Sequence, residues 1–189
     1  MFLSTSLLIA LLVALARGGR IRSFGRIELR YASFILVGLA LKILIFSAPW
    51  KEAVGSGHVI SRILYLLSMA LVAGAIYFNR QIPGLKLMGL GVLLNFLVIA
   101  ASGGYMPVSA VGVAKVQISL LPGTMLLNEP RTQAIVVTEG TRLWFLGDVI
   151  PLPDLLPVNM ISVGDIVLCL GVFCGTQRIM LREGPVGEG

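Results

Sequence analysis

The sequence predicts an all-α integral membrane protein of about five transmembrane helices, with an apolar, partly re-entrant outer cap between the fourth and the fifth. Three observations carry that prediction. Hydrophobic residues make up 57% of the 189 and charged residues 13%, against roughly 45–50% and about 25% in ordinary globular domains; mean hydropathy is +0.94. The apolar residues gather into five runs, and ~20 such residues suffice to cross the hydrocarbon core. The basic residues of the connections fall mainly on one side of the membrane that these runs define. A single membrane domain, 1–189, is expected.

The first run, Phe2 to Ala16, ends in Ala14-Leu15-Ala16, which has the look of a signal-peptidase site. A secretory signal carries its positive charges ahead of the apolar core. Here they follow it, at Arg17, Arg20 and Arg22, so a retained span over about 2–16 is expected, with its N-terminus outside. The second run, 31–50, has full span length and is broken by Lys42. The third and fourth, about 60–78 and 85–101, are joined by Asn79-Arg80-Gln81-Ile82-Pro83-Gly84, a tight turn that makes them a helical hairpin. The fifth covers about 161–177. There is no internal repeat, so the inverted-repeat plan of secondary transporters is not supported.

With the N-terminus outside, nine basic residues lie in cytoplasmic connections: Arg17, Arg20, Arg22, Arg26, Arg30, Arg80, Lys86, Arg178 and Arg182. Five lie on the other side: Lys51, Arg62, Lys115, Arg131 and Arg142. That bias places the C-terminus in the cytoplasm. The cluster Arg17, Arg20, Arg22, Arg26 and Arg30 contributes much of the net charge of +6. Beside an apolar run and without interleaved stacking aromatics, it is expected to face the lipid bilayer and its anionic headgroups rather than nucleic acid.

Residues 102–160 then form the outer cap. Its apolar stretches, punctuated by Pro and Gly, lack the composition of a disordered linker, so the segment is expected to fold onto the helix ends. IVVT and TRLWF flank Glu139-Gly140. They allow either a small hairpin or a short helix capped by Thr141.

Several side chains need a reason to be where they are. Lys42 lies mid-span, where a charge costs ~2.5–3.5 kcal/mol on insertion scales; it either snorkels to the outer interface or meets a partner, for which Asp165 is the natural candidate. Asp165 stands three residues after Ser162, a capping-box spacing at the start of the last helix. Asn95 sits six residues below Ala101, ~9 Å deep at 1.5 Å per residue, and either bonds a neighbouring helix or lines a pocket. In GGYMPVS, Gly103 and Gly104 suit a helix C-cap and Pro107 prevents continuation. Tyr105 belongs at the interfacial belt or under the cap. Asp148 either bonds local backbone, pairs with Arg142, or acts as an acid or base with Asp165. Asp154, before Leu-Leu-Pro, reads as a solvated turn residue. His58 has no companion ligand, so no metal is expected, and no cofactor motif occurs. Cys169 and Cys174 lie about 140° apart on a helical wheel and read as buried free thiols.

GGYMPVS, TRLWFLGDVIPLP and SVGD, after four spans and before a fifth, resemble a family of small bacterial integral membrane proteins classified as a domain of unknown function. The resemblance implies a bacterial inner (plasma) membrane location. It points to Asn95, Gly103, Gly104, Tyr105, Met106, Pro107, Gly147, Asp148, Pro151 and Asp165, and implies no activity.

The functional expectation is binding or passage of a small amphipathic or lipidic molecule in an outer-half pocket of Lys42, Asn95, Tyr105, Asp148 and Asp165. One alternative is a membrane-embedded hydrolase or transferase on a lipid-linked substrate, using Asp148 and Asp165. Another is a structural subunit of a membrane complex, packed through Ala70-x-x-x-Gly74 and Gly89-Val-Gly91.

Overall fold

A computed structural model describes residues 2–54, 58–109, 134–152 and 160–181. The chain is mostly helical. Helix α1 covers Phe2–Ala16, α2 Ala32–Phe46, α3 Ala48–Ala53, α4 Val59–Phe78, α5 Leu85–Ala101 and α6 Val163–Met180. By length and composition, α4 and α6 are long and apolar enough to cross a membrane, while α1, α2 and α5 are shorter apolar helices. The second run is not one continuous helix. Ser47 stops α2 and caps α3, accepting from the Trp50 backbone N–H, and Pro49 sits in the first turn of α3, where its missing N–H costs nothing. The fifth run is shifted: Met160–Ile161 is strand, and the helix starts at Val163.

The most extensive packing is between the antiparallel pair α5 and α6, and between the antiparallel pair α2 and α4; α1 lies on α6 and α4 on α5. Glycines allow the α5–α6 approach. A Cβ on Gly171 would stand 2.6 Å from the Met88 backbone nitrogen, and one on Gly91 2.5 Å from the Gly164 carbonyl oxygen. Gly84, at φ +85°, opens α5 in a left-handed conformation with its Cα against Gly175. These glycines therefore serve packing within the chain.

Polar groups tie the helices together at one end of the bundle. Asn79 Nδ2 donates to the carbonyls of Arg30 and Ala75, each at 2.7 Å, and Asn79 Oδ1 accepts from the Arg30 N–H at 2.8 Å. Gln177 Nε2 donates to the Ala10 carbonyl at 2.8 Å, and Arg17 Nη1 donates to Gln177 Oε1 at 3.0 Å. Meanwhile Leu7, Leu8, Leu12, Leu36, Ile43 and Ile63 are exposed. Polar residues are thus found inside the bundle and large apolar ones outside, the reverse of a water-facing surface.

The described part of the cap is built differently from either expectation. Strand β1, Met106–Val108, pairs in parallel with β2, Ala134–Val136. Residues 147–149 run along the other side of β1, with a Val108–Asp148 bridge. Thr141 caps no helix; its hydroxyl accepts from the Thr138 N–H at 2.8 Å, closing a turn. A single 3-10 turn, Trp144–Leu146, follows. Strand β3, Ile150–Pro151, pairs antiparallel with β4, Met160–Ile161, which leads into α6. Asp154 lies outside the described residues.

Candidate functional site

The start of α6 is fixed by its own sequence. Ser162 Oγ accepts from the Asp165 N–H at 2.9 Å, and Asp165 Oδ2 accepts from the Ser162 N–H at 3.2 Å, a complete capping box. Asn95 reaches across from α5 into this box. Its Nδ2 donates to Asp165 Oδ1 at 2.9 Å, and its Oδ1 accepts from Ser162 Oγ at 2.9 Å. Gly164 is needed between them, since a Cβ there would collide with Asn95 Oδ1. Sequence reasoning brought Asn95 and Asp165 to one level, and the structure joins them directly.

Lys42 faces the same region. Its Nζ lies 5.7 Å from the centre of the Tyr65 ring, and the Asp165 carboxylate acts on it electrostatically. Tyr65, which the sequence did not single out, also lies within electrostatic reach of Asp148 and Asp165. Lys42 is itself exposed on α2, with the Tyr65 ring beside its ammonium group.

Asp148 arrives through the cap strands. Antiparallel pairing of Ile150 with Ile161 and of Pro151 with Met160 ties the strand that follows Asp148 to the strand that leads into α6 and Asp165. The Asp148 backbone is fully used: the N–H donates to the Pro107 carbonyl at 2.8 Å and the carbonyl accepts from the Ser109 N–H at 3.1 Å. Its side chain is not. Oδ1 is buried with no hydrogen-bond partner, and Arg142, a partner suggested by sequence, is exposed. Burial first, and then the negative charge of Asp165, push the Asp148 carboxyl up to about 7.

Tyr105 is 4% exposed, so it is not on the lipid-facing belt. Its ring lies 5.5 Å from Arg62 Cζ, and Arg62 Nη1 donates to the Gly103 carbonyl at 3.0 Å. Gly103 and Gly104 have φ of +69° and +95°, as their C-cap role predicts. Arg62 entered the sequence reading only as an outer-side basic residue. The signal that could have marked it is its place in the first turn of α4, where the helix dipole disfavours a cation. His58 caps α4, its Nδ1 accepting from the Ile60 N–H at 3.3 Å. Cys169 and Cys174 are free thiols, half-buried rather than fully buried. Among the described residues no cluster of three or more His, Cys, Asp or Glu is placed to hold a metal ion.

A family described as a family of unknown function (DUF5317) matches residues 26–177. An uncharacterized protein of Thermotoga maritima is 32% identical over 170 residues, covering 88% of this chain and 84% of its own length. No solved structure matches this chain.

Proposed function

The chain belongs to the DUF5317 family of unknown function, and we propose that it spans a membrane about five times and binds or passes a small amphipathic or lipidic molecule in a polar pocket of its outer half. The membrane reading is supported by the apolar composition and by the outward-facing leucines and isoleucines. The short helices α1, α2 and α5, of 15, 15 and 17 residues, fit a bundle whose outer ends are completed by α3 and by the cap. The excess of basic residues on one side favours a bacterial inner membrane location, with the N-terminus outside and the C-terminus in the cytoplasm. Arg17, Arg20, Arg22, Arg26 and Arg30 then lie against anionic headgroups.

Lys42, Asn95, Tyr105, Asp148 and Asp165 are the residues proposed to line the pocket. The observation that carries the reading is the Asp148 carboxyl group: buried, lacking a partner at Oδ1 and close to Asp165. An unsatisfied buried oxygen costs about 1–3 kcal/mol, an expense that a ligand donor would relieve. Purification of the wild type and of Lys42→Met in mild detergent, with native mass measurement of co-purified ligand, tests it. Loss of ligand from the folded variant is expected, and unchanged recovery would count against the pocket.

A second reading has one observation in its favour. Asp148 holds a proton up to about neutral pH beside a second carboxyl group, the separation of roles that an acid and base pair needs. A hydrolase or transferase on a lipid-linked substrate would lose all turnover in Asp148→Asn, whereas a binding protein would keep its ligand in that variant. For the subunit reading, Gly89 and Gly91 pack against residues of the chain's own helices, whereas Ala70 of Ala70-x-x-x-Gly74 is exposed.

A further inference from the structure

GGYMPVS is more than a helix stop, because it builds a mount for one arginine. The carbonyl of Gly103 fixes Arg62 Nη1 at 3.0 Å, and the Tyr105 ring lies beside the guanidinium, 5.5 Å from its Cζ. Gly104 leaves room for the stem: a Cβ there would lie 2.7 Å from Arg62 Cβ and 3.0 Å from Cγ. A left-handed φ at Gly104 excludes most other residues as well.

The group held this way is not neutralised. Lys42 has Asp165 acting on it, whereas Arg62 pairs with no carboxylate among the described residues. Arg62 Nε is buried without an acceptor, and Ser102 Oγ, next to Gly103 in the chain, is also buried without a partner. A guanidinium fixed by a carbonyl and a ring, with an unused Nε–H, is organised for an oxyanion. Nearby, Trp50 Nε1 donates to Ser61 Oγ at 2.9 Å, which puts Arg62 level with an interfacial tryptophan. The oxyanion that an amphipathic molecule presents at that level is its phosphate.

We propose that Arg62, mounted on Gly103, Gly104 and Tyr105, binds the phosphate of an amphipathic ligand at the outer rim of the bundle. This rests on the outer-pocket reading and names the ligand's charged end. It also moves anion recognition away from Lys42, whose charge is already opposed.

The test uses the full chain in nanodiscs of phosphatidylcholine containing phosphatidylglycerol, with retained lipid read by native mass measurement after detergent transfer. A parallel arm adds inorganic phosphate. The wild type should retain phosphatidylglycerol preferentially, Arg62→Gln should weaken retention about tenfold, and Arg62→Lys, which keeps the charge but loses the fork, should fall between. Competition by inorganic phosphate would identify a water-soluble phosphate ester as the source; retention of lipid without competition would identify a headgroup. Equal retention by the wild type and both Arg62 variants overturns the proposal. Circular dichroism checks folding, and if Arg62→Gln does not fold, unchanged retention in Arg62→Lys alone overturns it. Lys42→Met separates the two readings. Loss in Arg62→Gln with retention in Lys42→Met supports the arginine site and removes Lys42 from the outer pocket, and retention in Arg62→Gln with loss in Lys42→Met overturns the arginine site while leaving the pocket around Lys42 standing.

Discussion

The two halves of the bundle solve opposite problems. At the end that holds the α4–α5 turn, α5 and α6 meet through Gly84, Gly171 and Gly175, so close that an added Cβ would strike backbone, and Asn79 and Gln177 spend their amides on backbone carbonyls. At the opposite end, Lys42, Tyr65, Asp148 and Asp165 share one neighbourhood, and Asp148 Oδ1, Arg62 Nε and Ser102 Oγ are buried without partners. Buried polar groups are almost always satisfied. We propose that the end that satisfies them is architecture and that the end that does not is the place for a ligand.

That contrast can be broken most severely at the α5–α6 seam. Gly171→Val would drive a branched side chain into the Met88 backbone and should cost more than ~3 kcal/mol, seen as loss of cooperative thermal unfolding in detergent. A near-neutral result would mean that the seam opens easily. Next in size, Asn95→Leu removes the link between Ser162 and Asp165. Leaving those groups short of a partner should destabilise by about 2–3 kcal/mol. Ser162→Ala keeps Asn95 but removes the cap of α6, for about 1 kcal/mol.

A smaller effect, dependent on pH, is expected from Asp148. Its carboxyl group titrates at about 7 in the folded protein against about 3.9 unfolded, so the folded state holds the extra proton between those values. Its stabilising contribution is complete below about pH 4 and is lost as pH rises toward and through 7. Asp148→Asn should flatten that decline and make the protein relatively more stable above pH 7. A pH profile of melting temperature that is identical in the wild type and the variant would show that Asp148 is solvated.

Much of this was legible in local sequence. Apolar runs located α1, α4 and α5 closely, Ser162 and Asp165 announced their capping box, and Gly103-Gly104 announced the end of α5. The break at Ser47 was present as a Ser-Ala-Pro signal, but the continuous apolar run around it masked the stop. The parallel pairing of Met106–Val108 with Ala134–Val136 had no such signal, because it joins segments far apart in sequence whose pairing depends on tertiary register. Arg62 was hidden for a related reason. Its counter-dipolar place in α4 was visible, but the carbonyl and ring that hold it come from beyond α5.

We propose that the bundle keeps the buried Asp148 carboxyl group unpartnered for a ligand, and infrared titration of Asp148 tests this most directly. The difference between wild-type and Asp148→Asn spectra isolates the Asp148 carboxyl stretch, followed from pH 3 to pH 9 in nanodiscs. We predict a band that disappears with a midpoint of about 7 and shifts when the co-purified molecule is restored to stripped protein. A midpoint in the ordinary carboxylate range near 4, with no response to that molecule, would contradict the account.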